Sequence, residues 1–264
     1  MNQLSEQLQH WIKVAFGISI AEGTTYWIYA GIAWVLGYVL LRRVLARRKV
    51  MPGFPDRVDL WREIRYSMLT VMIYGLVAAV TLWMTEHGWT QLYGLHGRAD
   101  GHYSGAWFLI SIVLTIVLHD TYFYWTHRLM HHRALFRWFH RTHHRSHNPS
   151  PWTSYAFDPL EALVQAGIFP LAVCLYPMHA GAFGLFMLWQ IFFNVLGHSG
   201  YETYPRWLMD SWLGKVLNTT TNHVMHHEFT RGNYGLYFNV WDRIMGTNHE
   251  RYEERYRKVT ARPG

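Results

Sequence analysis

The 264-residue chain predicts an all-α, polytopic membrane protein with four to five transmembrane helices and a cytoplasmic helical cap. Three observations carry that prediction: the composition, the charge-free stretches and the placement of the bases. Half of the residues are hydrophobic, 17% are aromatic and only 16% are charged, against about a quarter charged in a soluble domain. The mean hydropathy of −0.06 conceals a segregation of charge along the chain.

Four stretches contain no Asp, Glu, Lys or Arg: 23–41, 66–85, 101–119 and 162–201. A bilayer core of ~30 Å takes about 20 helical residues, so the first three each supply one crossing and the fourth supplies two. Pro177-Met178-His179-Ala180-Gly181 marks a turn inside the fourth stretch, which therefore predicts a helical hairpin that either spans or re-enters. Trp27, Trp34, Trp83, Trp89 and Trp107 fall toward segment ends, where amphipathic rings meet headgroups. Leu4, Leu8, Trp11, Ala15 and Phe16 share a helical face, and no basic n-region precedes them. The first 20 residues thus predict an interfacial helix rather than a signal peptide.

In a five-crossing topology 22 of the 24 bases fall on one side, with Lys13 and Arg98 on the other. The positive-inside rule makes that side cytoplasmic and accounts for the +7 net charge without nucleic acid. A single cysteine, Cys174, excludes a disulfide framework, and the apolar content excludes disorder.

The histidines carry the chemistry. On a helix, positions i, i+3 and i+4 share a face, so His127/His131, His140/His143/His144 and His223/His226/His227 each direct imidazoles one way. All three sets fall on the cytoplasmic side, directly beyond membrane segments. Together with His198 they exceed what one ion can use and suggest two. Imidazole suits zinc, copper, iron and nickel. The chain contains neither the Glu-x-x-His of carboxylate di-iron bundles nor His-Glu-x-x-His. A histidine-rich redox pair at a membrane face remains.

The order of the boxes, H-x(3 or 4)-H, H-x-x-H-H and H-x-x-H-H, resembles the fatty acid hydroxylase / sterol desaturase superfamily. Asp120 to Met130, Asn148-Pro-Ser-Pro-Trp152, Gly197-His198-Ser199-Gly200-Tyr201 and the run from Asn233 to Gly246 extend the likeness, toward the sterol desaturase branch. It covers roughly Gly105 to Glu250. On that basis 1–104 are an interfacial helix and two spans, 105–250 a catalytic domain and 251–264 a basic tail.

The resemblance implies a membrane oxygenase that uses two iron ions, dioxygen and external electrons to hydroxylate or desaturate a lipid. Zinc is a possible occupant in a purified form. The implied ligands are His127, His131, His140, His143, His144, His198, His223, His226 and His227, with His132 an alternative or additional ligand, because the spacing allows both. Asp120 is the best placed of three acids, with Glu228 and Asp242, to hold a ligating imidazole. Where several relatives read Phe-His-Pro, this chain reads Phe157-Asp158-Pro159, and Asp158 fits the N-cap of a helix starting at Pro159. No Gly-x-Gly occurs, so electrons are expected from a ferredoxin, a cytochrome b5-like protein or a reductase. Asn194 and Tyr122 are candidates for a substrate path. The rival readings are a membrane metal-binding or transport protein and a zinc-dependent hydrolase with the same cage.

Overall fold

The computed structural model describes residues 3–95 and 104–261; His96, Arg98 and His102 lie outside the described residues. The chain begins with α1 (Gln3–Trp34), which continues through a π-helical turn, Val35–Leu40, and bends by 83° into Arg42–Arg48. The segment expected to be a separate interfacial helix is thus the first half of one continuous helix. No proline interrupts it, and its middle packs along α2 (Arg57–Glu86). The two backbones nearly touch: a Cβ on Gly75 would lie 2.6 Å from the carbonyl oxygen of Ala15 and 2.0 Å from Ser19 Oγ. Asp56 starts α2 by accepting the Val58 N–H at 2.7 Å.

Helix α3 (Gly105–Met130) is capped by Ser104. The charge-free stretch of 40 residues forms the expected hairpin. Its first arm, α4 (Pro159–Ala166) and α5 (Ile168–Leu175), breaks at Gly167 and is shorter than a crossing, whereas α6 (Ala180–His198) is a full one. By length and composition α2, α3 and α6 can cross a membrane, and α1 with its bent continuation makes a fourth. At the hairpin tip Met178–His179 pairs in parallel with Leu92–Tyr93. Box three lies on α7 (Thr220–Phe229), and α8 (Tyr252–Thr260) packs against it.

The base-rich segments meet at the other end of the bundle. Arg62 donates to Ser146 Oγ at 2.8 Å, Arg48 to the Tyr204 carbonyl at 3.0 Å and Lys49 to Asn148 Oδ1 at 3.2 Å. Between the helices a buried turn, Pro151–Tyr155, is held by Tyr26 and Ser67, both donating to the Trp152 carbonyl, while Ser150 donates to Glu63 at 2.7 Å. The core here is aromatic, with Tyr26 stacked on Tyr155 and Tyr74 edge-on to it.

The Gly75 approach is open to test. Gly75→Val should destabilise the α1–α2 pair by about 1–3 kcal/mol through overpacking. A thermal midpoint in detergent indistinguishable from the parent would contradict this contact.

Candidate metal centre

Each histidine set is delivered by a different device. His127 sits in the last turn of α3 and His131 caps its end, one turn further on. His140 precedes a short helix, Arg141–His144, that carries His143 and His144. The Asp158 carboxylate grips that helix, accepting the Thr142 N–H at 2.8 Å and its hydroxyl at 2.6 Å. Asp158 is also the residue preceding α4, with Pro159 next, as expected from the sequence, although its side chain serves box two rather than α4. His223, His226 and His227 lie buried along α7, whose N-cap Thr219 accepts from Asn222.

The structure brings nine histidines into two groups. His127, His131, His140, His144 and His226 form one; His143, His198, His223 and His227 form the other. Within each group one nitrogen per ring lies within 4.8 Å of all the others. Facing Nε2 atoms are 2.9 Å apart for His127 and His140, 3.1 Å for His131 and His144, and 3.2 Å for His131 and His226. In the second group His198 Nε2 lies 2.8 Å from His223 Nε2 and 3.3 Å from His143 Nε2.

The opposite ring nitrogens assign the tautomers. Nδ1–H of His127 donates to the Tyr234 carbonyl at 2.9 Å, that of His198 to Asn194 at 2.7 Å and that of His226 to Gly232 at 2.6 Å. His140 Nδ1 lies 2.6 Å from Glu161 Oε1, both side chains fully buried. His127 therefore carries its proton on Nδ1 and turns its Nε2 lone pair toward His140, whose Nδ1 has the Glu161 carboxyl beside it. Ring nitrogens that converge in this way are a donor set that fits a metal ion in each group. Burial, with neighbouring imidazoles second, holds His140, His143, His144, His223, His226 and His227 well below the ordinary histidine value, keeping the rings neutral as metal binding requires.

At the end of α3 the two candidates differ in position: His131 lies in the cage, while His132 is exposed, its Nδ1 accepting the Ala134 N–H at 3.4 Å. The helix ends at Met130 with His131 as its C-cap, so His132 lies beyond the helix and turns outward. Asp120 corrects the sequence expectation. Its carboxylate accepts the backbone N–H groups of Tyr237 and Phe238 at 2.9 and 3.0 Å and holds no imidazole among the described residues. Asp242 accepts from Tyr234 N, Gly235 N and Thr247 Oγ1, so it positions His127 only through the Tyr234 carbonyl; Glu228 pairs with Arg255. The acid that does meet an imidazole is Glu161, which sequence reasoning missed. Its signal was its place: the last charge before the 40-residue charge-free stretch.

The remaining described histidines stay apart from the cage. His119 is buried with Nδ1 on the Tyr237 hydroxyl at 2.8 Å, His147 is exposed and His249 stacks on Phe229. His179 caps α6 at the far end, and His10 and His87 are exposed. Tyr122 donates to the Val164 carbonyl at 2.6 Å and ties α3 to α4, a packing role, whereas Asn194 borders a small cavity against His198.

Comparison with known proteins follows this geometry. The profile of the family described as fatty acid hydroxylase matches residues 112–247. A Delta(7)-sterol 5(6)-desaturase of Gibberella zeae is 31% identical over 187 residues, 71% of this chain and 55% of that protein. Human lathosterol oxidase is 27% identical over 70% of this chain and 60% of its own length. A Delta(7)-sterol 5(6)-desaturase of Aspergillus fumigatus is 26% identical over 76% and 66%. The chain thus spans little more than half to two thirds of these relatives. No solved structure matches.

Removing the carboxylate behind His140 should weaken metal binding. Glu161→Gln is expected to lower affinity in the five-histidine group by about 10–100-fold, the usual cost of losing a partner behind a ligand. Chelator competition that releases metal from variant and parent at the same concentration would remove Glu161 from this role.

Proposed function

This chain belongs to the fatty acid hydroxylase family, and we propose that it is a multi-pass membrane oxidoreductase that hydroxylates or desaturates a lipid with dioxygen and external electrons. The observation that carries the proposal is the convergence of nine imidazoles, at one end of a membrane-type bundle, each with a ring nitrogen turned toward the others of its group. The names of the relatives favour a sterol over an acyl chain as substrate. We take residues 105–250 as the catalytic domain. The base-rich end of the bundle, which holds the cage, is assigned to the cytoplasm by the positive-inside rule.

His127, His131, His140, His144 and His226 would hold one iron ion, and His143, His198, His223 and His227 the other. When bound, the pair supplies dioxygen reduction and removal of hydrogen from an unactivated C–H bond. The chain's own part is to hold and orient. Glu161 and the carbonyls of Tyr234, Asn194 and Gly232 fix four rings with Nε2 inward. Burial of the rings keeps bulk water from competing with the substrate's C–H bond. Electrons must arrive from outside, and the exposed Arg133, Arg137, Arg141 and Arg145 beside box two offer an acidic donor protein a face to dock on.

Metal content and oxygen uptake test this together. Protein supplied with ferrous iron and a reductant is expected to hold two irons per chain, one for each histidine group, and to consume oxygen. His143→Ala should abolish uptake while the protein still inserts. Tightly held zinc with no oxygen consumption would instead favour a hydrolase.

A further inference from the structure

Two spaces on either side of α6 share one wall residue, Leu196, beside the cage. A cavity of about 10 Å³ touches His198 and His223 and is walled by Asn194, Phe193, Leu196 and Leu236. That is room for about one water and for no lipid carbon chain. On the outer side of α6 lies a groove of about 580 Å³, between α6 and the second half of α1 with its π turn. Its walls include Ile28, Ile32, Leu36 and Phe192, all exposed. Leu196 lines both spaces.

The backbone at Leu196 is pinned, because its carbonyl accepts the Thr220 hydroxyl at 2.9 Å and so ties α6 to α7. Its side chain is half-buried and takes no part in that bond. Gly197 follows, and a Cβ there would stand 3.7 Å from the His223 ring, so no side chain intervenes between α6 and that ligand. A larger groove of about 790 Å³, between α1 and α2, touches none of the nine cage histidines.

Resting on the lipid-oxidation reading above, we propose that the α1–α6 groove holds the hydrocarbon body of the lipid substrate and that Leu196 is the partition it displaces to bring a C–H bond to the cage. The occupant follows from the walls and from their continuity with the cage. Exposed aliphatic and aromatic side chains line the outside, with Ser199, Tyr201 and Thr203 at the end nearest His198. Leu196 is thereby a specificity-determining residue, whose size governs which lipids reach the metal.

The test is photolabelling of iron-loaded protein in phosphatidylcholine vesicles. One arm uses diazirine-bearing stearate and the other diazirine-bearing cholesterol, with labelled positions mapped by mass spectrometry. The expected result is labelling of Ile32 or Phe192 in the groove and of Phe193 or Leu236 in the cavity by at least one probe; the probe that labels reports the shape of the lipid. In Leu196→Trp the groove label should persist while the cavity label falls about tenfold, as the larger ring fills the space. Leu196→Ala should raise the cavity label. Bound metal, measured alongside, should match the parent in both variants. A groove unlabelled by either probe, or a cavity label indifferent to both substitutions, overturns the proposal. Labelling as expected in a protein that consumes no oxygen would uphold the route and sink the oxygenase reading.

Discussion

Imidazole lone pairs held against one another are the constraint on which the rest of the structure depends. With the proton of His127 placed on Nδ1 by the Tyr234 carbonyl, and the Glu161 carboxyl set against Nδ1 of His140, their Nε2 atoms meet at 2.9 Å. A cation joining those nitrogens takes up the lone pairs, and burial opposes relief by a second proton on His140. The surrounding chain must therefore hold the rings in place against their own repulsion. That requirement explains why so many polar groups near the cage bind backbone instead of one another.

The acids illustrate the division of labour. Asp120 on α3 and Asp242 after the last box both clamp the stretch from Tyr234 to Phe238, one from each side, and this stretch presents the carbonyl that orients His127. Asn233 enters the same turn with a φ of +55°, in the left-handed region that asparagine tolerates better than most residues, and its amide bridges the Asn222 carbonyl and the His249 N–H. Box two has a separate clamp, Asp158 on Thr142, and the turn behind it is locked by Ser150 to the buried Glu63. Three clamps on separate chain segments thus bring three boxes into one cage.

Much of this was legible from spacing alone. The i, i+3, i+4 pattern brought the histidines of each box to the cage but not to one ion: His143 parts from His140 and His144, and His226 from His223 and His227, and His140 lies outside the helix that carries its partners. The charge-free stretches disclosed α2, α3 and the hairpin. Spacing did not separate His131 from His132, since both fit the box and the choice turns on where α3 ends. It also did not disclose Glu161 behind His140, a tertiary contact across two segments with no periodic signature. Asp120 attracted a ligand-holding role because it lies near box one in sequence, but on α3 it is nearly two turns before His127 and meets the 236–238 backbone instead. The long α1 escaped notice because Glu22 divides its polar first half from the charge-free second half without breaking the helix.

The placement of the cage has an electrostatic logic of its own. His127 lies in the last turn of α3, His198 in the last turn of α6, and His226 and His227 in the last turn of α7, so three helices direct their C-terminal ends at the same space. Those ends carry unpaired carbonyls and the negative pole of the helix dipole, which favour a cation within about one turn. The same carbonyls are available to take the Nδ1–H of a histidine, as Asn194 does for His198. Helix termini therefore do two things at once here: at the end of α6 they set the tautomer that turns the His198 lone pair inward, and at all three ends they supply a field that makes the inward point attractive to metal, while the loop carbonyls of Tyr234 and Gly232 set the tautomers of His127 and His226. A site built along the middle of the same helices, where every carbonyl is already bonded within the helix, would have neither.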